Sequence, residues 1–182
     1  MNKVLQSNLN PPDDMKAERE VRDTVFRTGD KVMQIKNNYK LEWEIRNEKG
    51  FQVEKGIGAF NGDVGVIRDI SYFSEEVIVE FDDKRVARYP FSSLDELELA
   101  YAITIHKSQG SEYPVVVMPI LQGPPVLFNR NLLYTAVTRA KQSVSIIGSK
   151  SKVLDMIRNV RELKRYTSLT QRIIESKQEQ MW

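Results

Sequence analysis

The 182-residue sequence contains no cysteine and one histidine, His106. Disulfides and thiolate metal sites are therefore excluded, and no metal site is expected. The lack of thiols suits a reducing compartment, and a cytoplasmic location is expected. No apolar run approaches the length of about 18 residues that a membrane-crossing helix needs, so no membrane partner is expected. The segment from Met1 to Asp14 is polar and includes Pro11-Pro12, without the apolar core of a secretory signal. Any G-x-x-x-x-G-K-[ST] stretch, whose backbone cradles nucleotide phosphates, is also missing. The acidic residues form no cluster suited to metal-dependent hydrolysis, so nuclease chemistry has no support.

What is present, 41% hydrophobic and 29% charged residues, suits a folded globular protein, and the length suits one ordinary domain or a domain carrying a small inserted module. The net charge of +2 hides an uneven distribution. Residues 40–98 hold 8 basic and 14 acidic side chains, residues 99–149 hold 4 and 1, and residues 150–182 hold 8 and 4. Positive charge thus gathers in the second half, where a phosphate-bearing partner is expected; a solvated helical surface explains the tail equally well.

Residues 3–10 predict a short strand or helix end broken by Pro11-Pro12, and residues 13–23 a charged surface excursion. Alternation predicts strands over Lys31–Ile35 and around Trp43 and Ile45, with turns at Gly29-Asp30 and Lys49-Gly50. Residues 56–92 predict a small all-β unit: Asn61-Gly62-Asp63 turns into Val64–Ile67, then come Val77–Phe81, the Asp82–Lys84 turn and Arg85–Tyr89. Such short strands suggest an SH3-like barrel, its aromatic residues mostly core. Beyond it, Leu97–Ala102 predicts a strand feeding a loop over Thr104–Gly110. Buried strands are predicted over 114–120 and 144–148, with a helix over 129–141 capped by Asn129 between them. Two closing helices are predicted over 150–165 and 169–180. The expected fold is an α/β domain, a parallel sheet covered by helices, interrupted by the barrel.

Two stretches carry chemistry. In the first, Ala102 to Tyr113, a polar loop follows a strand, where open α/β sheets bind ligands. Thr104, His106 and Ser108 offer short polar groups suited to nucleic-acid phosphates. Gly110 lets a backbone N–H approach a phosphate closely, and Glu112 can accept from ribose hydroxyls. His106 lacks a local partner for proton transfer, so a hydrogen-bonding role is favoured. In the second stretch, Leu133 to Lys141, a helical wheel groups Leu132, Leu133, Ala136, Val137 and Ala140 on one face. Arg139 falls about 90° from its centre, able to reach a cleft. There it can neutralise charge on a transferring phosphoryl group; the alternative is a surface ion pair. Tyr134 either stacks on a base or packs at an interface. Lys141 is expected to meet phosphate or solvent.

Together, Ala-Ile-Thr-Ile-His-Lys-Ser-Gln-Gly-Ser-Glu-Tyr (102–113) and Leu-Tyr-Thr-Ala-Val-Thr-Arg-Ala-Lys (133–141) resemble the fifth and sixth motifs of superfamily-1 helicases. The likeness is greatest to the RecD-like DNA helicases, the exodeoxyribonuclease V alpha-subunit type. Leu5–Pro11, Gly29–Gln34 with Asn37–Tyr39, Phe60–Gly65 and Arg165–Leu169 are similar to RecD-like sequences too. The resemblance implies a second RecA-like motor domain, its first part at 1–55, an SH3-like insertion at 56–92 and its remainder, with both motifs, at 93–182. It implies single-stranded DNA contacts at Thr104, His106, Lys107, Ser108, Tyr134 and Thr138, and ATP contacts at Gln109, Gly110, Glu112 and Arg139, the last as arginine finger. It further implies 5′-to-3′ unwinding in DNA repair and recombination. ATP and Mg²⁺ would be held largely by a preceding RecA-like domain with the phosphate loop, so this stretch, read as an expressed fragment, is expected to be inactive alone. The alternatives are a non-catalytic nucleic-acid-binding adaptor and a motor subunit of an exodeoxyribonuclease V complex, with that complex's subunits as partners.

Overall fold

The computed structural model describes residues 1–121, 123, 126–160, 168, 172, 173 and 176. The chain forms two compact units, Met1–Ser108 and Gln109–Trp182.

The first unit opens with a helix, α1 (Asn2–Leu9), where a strand or helix end was expected. It stops just ahead of Pro11-Pro12, which can neither donate to a helix nor extend it. The segment expected as a surface excursion contains β1 (Glu18–Val21), paired antiparallel with β2 (Thr24–Arg27) through a tight turn in which Arg22 has φ +54°.

Seven further strands form one antiparallel sheet: β3 (Lys31–Gln34), β4 (Asn38–Arg46), β5 (Gln52–Ala59), β6 (Val64–Ser71), β7 (Glu76–Phe81), β8 (Val86–Pro90) and β9 (Leu97–Leu99). Their order is β5-β4-β8-β7-β6-β3-β9. The all-β stretch expected over 56–92 is therefore part of a larger sheet running from Lys31 to Leu99. The reason lies in β3, whose Val32 and Met33 are buried and which pairs with β6 on one side and β9 on the other. The Leu97–Ala102 strand, expected to feed the Thr104–Gly110 loop, is shorter than predicted, Leu97–Leu99, and runs antiparallel to β3.

Alternation explains why β7 lies in the middle. Val77, Val79 and Phe81 point into the core while Glu76, Ile78 and Glu80 are half-exposed. Ala87 and Tyr89 on β8 add to that core, and the buried Tyr89 hydroxyl donates to Gln34 Oε1 at 2.8 Å. Burying each large side chain stabilises by about 1.5–3 kcal/mol. At the other side of the sheet Trp43 on β4 faces Gly56 on β5. A Cβ at Gly56 would lie 2.4 Å from the indole, so only glycine lets the ring lie flat on the strand. The Arg85 guanidinium covers Trp43 at 5.5 Å and ion-pairs with Asp63 at 2.9 Å.

In the second unit β10 (Tyr113–Ile120) and β11 (Ala140–Gly148) pair in parallel, joined through α2 (Arg130–Val137) and followed by α3 (Lys150–Arg158). The expected RecA-like parallel sheet is thus represented, among the described residues, by one parallel pair, and the larger sheet of the molecule is antiparallel. Nor are its strands wholly buried: Met118 and Ile120 are, whereas Val115 and Val117 are 50% and 61% exposed and β11 has no buried residue. Among the described residues each strand has one hydrogen-bonded neighbour, and the helix between them packs on both. The helix expected over 129–141 ends at Val137, because Ala140 is already paired with Tyr113 in the sheet. The helix expected over 150–165 is seen as α3 to Arg158; residues 161–165 and most of 169–180 lie outside the described residues.

Candidate functional site

The segment Thr104–Gly110 is a run of turns after β9. Its first half, in the first unit, is organised by Thr104. The carbonyl of Thr104 accepts from the Ser108 N–H at 3.1 Å, and its hydroxyl accepts from the Lys107 N–H at 3.3 Å. Ser108, expected to offer its hydroxyl to phosphate, is buried and donates to the Ile105 carbonyl at 2.8 Å. That group shapes the turn instead of facing outward. Lys107 pairs with Glu98 at 2.5 Å, so its charge is not bare, while Thr104 and His106 are exposed.

The rest of the stretch lies in the second unit. Gln109 and Gly110 are exposed, and Gly110 has φ +87° with nothing within 4 Å of the space a Cβ would take. That backbone is open to a ligand and disfavours any side-chain-bearing residue. The two motifs meet here. The Tyr113 N–H donates to the Arg139 carbonyl at 2.8 Å, and Glu112 pairs with Lys141 at 3.1 Å. Glu112 thus has a cationic neighbour, and Lys141 a carboxylate, that spacing did not disclose.

Arg139 does not sit on the helical wheel. It follows the C-cap residue Thr138 and bridges α2 to β11. Its half-buried guanidinium donates to the carbonyls of Thr135 (3.2 Å) and Ser111 (3.2 Å), and the Thr138 hydroxyl lies 3.4 Å away. Among the described residues no carboxylate pairs with it. The side chain is held by neutral oxygens with its charge uncompensated, which suits it to an anion. Thr138 donates its hydroxyl to Tyr134 O (2.9 Å) or Thr135 O (3.1 Å), closing the helix end. Tyr134 is 70% exposed, with its ring open to stacking. Asn129 caps α2 by accepting from the Leu132 N–H at 2.9 Å.

The open backbone at Gly110 and the uncompensated Arg139 fit the phosphates of a nucleotide. A divalent cation fits less well: among the described residues no three carboxylate or imidazole side chains converge.

A polar hub in the first unit was invisible in the sequence. Asp30 is wholly buried and accepts four hydrogen bonds: Gln6 Nε2 (2.5 Å), Asn10 Nδ2 (2.8 Å), the Arg27 N–H (2.7 Å) and the Tyr101 hydroxyl (2.8 Å). Burial, and then the bond to Asp30, pushes the Tyr101 phenol up to about 12. The turn signal at Gly29-Asp30 was the sole hint, and it says nothing of partners so distant in sequence.

Residues 1–81 match the SH3 domain of ATP-dependent RecD-like DNA helicases, and residues 99–147 match the UvrD-like helicase C-terminal domain. The ATP-dependent RecD2 DNA helicase of Deinococcus radiodurans is 33% identical over 147 residues, 81% of this chain and 18% of that protein. The RecBCD enzyme subunit RecD of Mycobacterium tuberculosis is 39% identical over 101 residues, 54% of this chain and 17% of that subunit. An uncharacterized protein of Methanocaldococcus jannaschii is 35% identical over 127 residues, 66% of this chain and 11% of the relative. The chain spans less than a fifth of the length of these curated relatives.

Proposed function

The chain belongs to the RecD-like DNA helicases, and we propose that it serves an ATP-dependent helicase as part of its second, RecA-like motor domain together with an SH3-like module. In this reading the enzyme moves 5′ to 3′ on single-stranded DNA in repair and recombination. The exposed Thr104 and His106, with Lys107, meet DNA phosphates, and Tyr134 offers a face to a base. ATP lies against Gln109, Gly110, Glu112 and Arg139. A further motor domain supplies the phosphate loop and the acidic residues that hold Mg²⁺.

The observation that carries this reading is the setting of Arg139: a guanidinium fixed by two main-chain carbonyls and matched by no carboxylate among the described residues. Fixed donors aimed where charge develops stabilise a transition state without reorganising. Arg139 would therefore act on the γ-phosphoryl oxygens as hydrolysis proceeds, and its link to Ser111 would tie that event to the other motif.

Two measurements test the assignment. Phosphate release by this chain with Mg²⁺, ATP and single-stranded DNA is expected to stay at background, since the phosphate loop is not in it. Anisotropy titrations with a labelled oligothymidylate are expected to show weak binding that weakens further with salt, because few phosphates are contacted. Binding indifferent to salt contradicts the phosphate contacts, and turnover by the chain alone contradicts the division of labour. Membership of a multi-subunit enzyme, suggested by relatives named as RecBCD enzyme subunits, predicts co-purification with the other subunits.

A further inference from the structure

We propose that Asn2 and Tyr101 are positioning residues that hold the 104–108 turn in place for single-stranded DNA, an inference that rests on reading this turn as a DNA contact. After β9 ends at Leu99 the chain leaves the sheet, and the next few residues decide where the turn lies. Two side chains grip them. The Asn2 amide brackets the segment: Nδ2 donates to the Leu99 carbonyl at 2.6 Å, and Oδ1 accepts from the Ala102 N–H at 2.7 Å. The Tyr101 hydroxyl, between those points, donates to Asp30 Oδ1 at 2.8 Å.

The anchor behind Tyr101 is stiff. Asp30 is wholly buried and accepts from three other donors, so it cannot shift without leaving them unpaired. The turn is closed internally by Ser108 and pinned at Lys107 by Glu98. Thr104 and His106 are exposed, and Thr104 and Lys107 border a cavity of about 270 Å³ shared with Asn2 and Met33. The Asn2 and Tyr101 bonds fix where that turn leaves the sheet. α1 thus bears on the DNA-facing turn through Asn2, about a hundred residues away in sequence.

The test uses the 182-residue chain and a fluorescein-labelled oligothymidylate. Tyr101→Phe keeps the ring and removes the hydroxyl; Asn2→Ala removes both amide bonds. A net hydrogen bond corresponds to roughly a two- to tenfold change in an equilibrium constant. Each variant is expected to bind DNA weaker by about that factor. Hydrogen exchange should quicken over residues 100–108 while β7 keeps its protection. A general loss of protection that includes β7 would make both residues scaffold alone and overturn the proposal. A Thr104→Ala/His106→Ala chain separates the two levels. If it binds DNA as the parent does, the turn is no DNA contact and the inference falls with that reading. If it binds weaker while Tyr101→Phe and Asn2→Ala bind normally, only the positioning role is refuted.

Discussion

The two units of this chain treat valine in opposite ways. On β7, Val77 and Val79 are wholly buried; on β10, Val115 and Val117 are half-exposed or more. Both strands are rich in β-branched residues, so residue type does not decide the outcome. Neighbours do. β7 is flanked by β6 and β8, whereas β10 has one partner, β11, among the described residues. The first unit closes a core on itself. The second carries fewer buried side chains and displays a fixed guanidinium that no carboxylate among the described residues matches. Mutations in the first unit's core and at Arg139 should therefore register in different measurements, melting for one and rate for the other.

The widest separation is expected at Arg139. In a helicase polypeptide that joins this chain to a phosphate-loop domain, Arg139→Ala should lower DNA-stimulated kcat by about 10²–10⁴-fold. Melting should hardly change, because the freed carbonyls of Thr135 and Ser111 can turn to water. Arg139→Lys should rescue little, since an ammonium lacks the planar fork of donors. A parallel fall in melting temperature and rate would erase the contrast between the units.

Tyr89 is the counterpart in the first unit's core. Tyr89→Ala should cost the first unit about 3–5 kcal/mol through the cavity it leaves. Tyr89→Phe should cost about 1 kcal/mol by removing the donor to Gln34. Urea denaturation measures both, and a small loss for the Ala variant would mean that this core is not closed.

Alkali offers a gentler probe of the first unit. Burial, with the bond to Asp30 next, raises the Tyr101 phenol to about 12, and burial raises Tyr89 as well. An unfolded tyrosine ionises near about 10. The folded state then holds its proton longer, so this contribution is complete below about pH 10 and disappears as pH climbs through 12. Tyr101→Phe should make that decline shallower in melts taken across the range; an unchanged decline removes Tyr101 from the account. The smallest effect belongs to Val117→Ser on the exposed side of β10, within about 0.5 kcal/mol. A larger loss would show that this valine is covered.

Local order was the part most legible in the chain. Period-two alternation exposed β3, Asn61-Gly62-Asp63 marked the turn into β6, and Asn129 announced the start of α2. Partnership was not legible. Nothing in Leu97–Leu99 says that it pairs antiparallel with β3, and nothing near Val137 says that a strand must begin three residues later. These outcomes depend on the far side of each contact. The motif residues show the same division. Their order along the chain pointed to a nucleotide and nucleic-acid site, yet the Ser108 hydroxyl turned inward because a tight turn needed it, and Arg139 left its helix because β11 claimed Ala140.

The indole lying on Gly56 makes the β4–β5 hairpin readable by light. Trp43 and Trp182 are the chain's two tryptophans, and Trp43 is pressed between a bare stretch of backbone and the Arg85 guanidinium. Its emission is therefore a local gauge of whether the hairpin remains laid against its neighbour strand. In a Trp182→Phe background, Gly56→Ala should lift the ring and redden that emission without any label being attached.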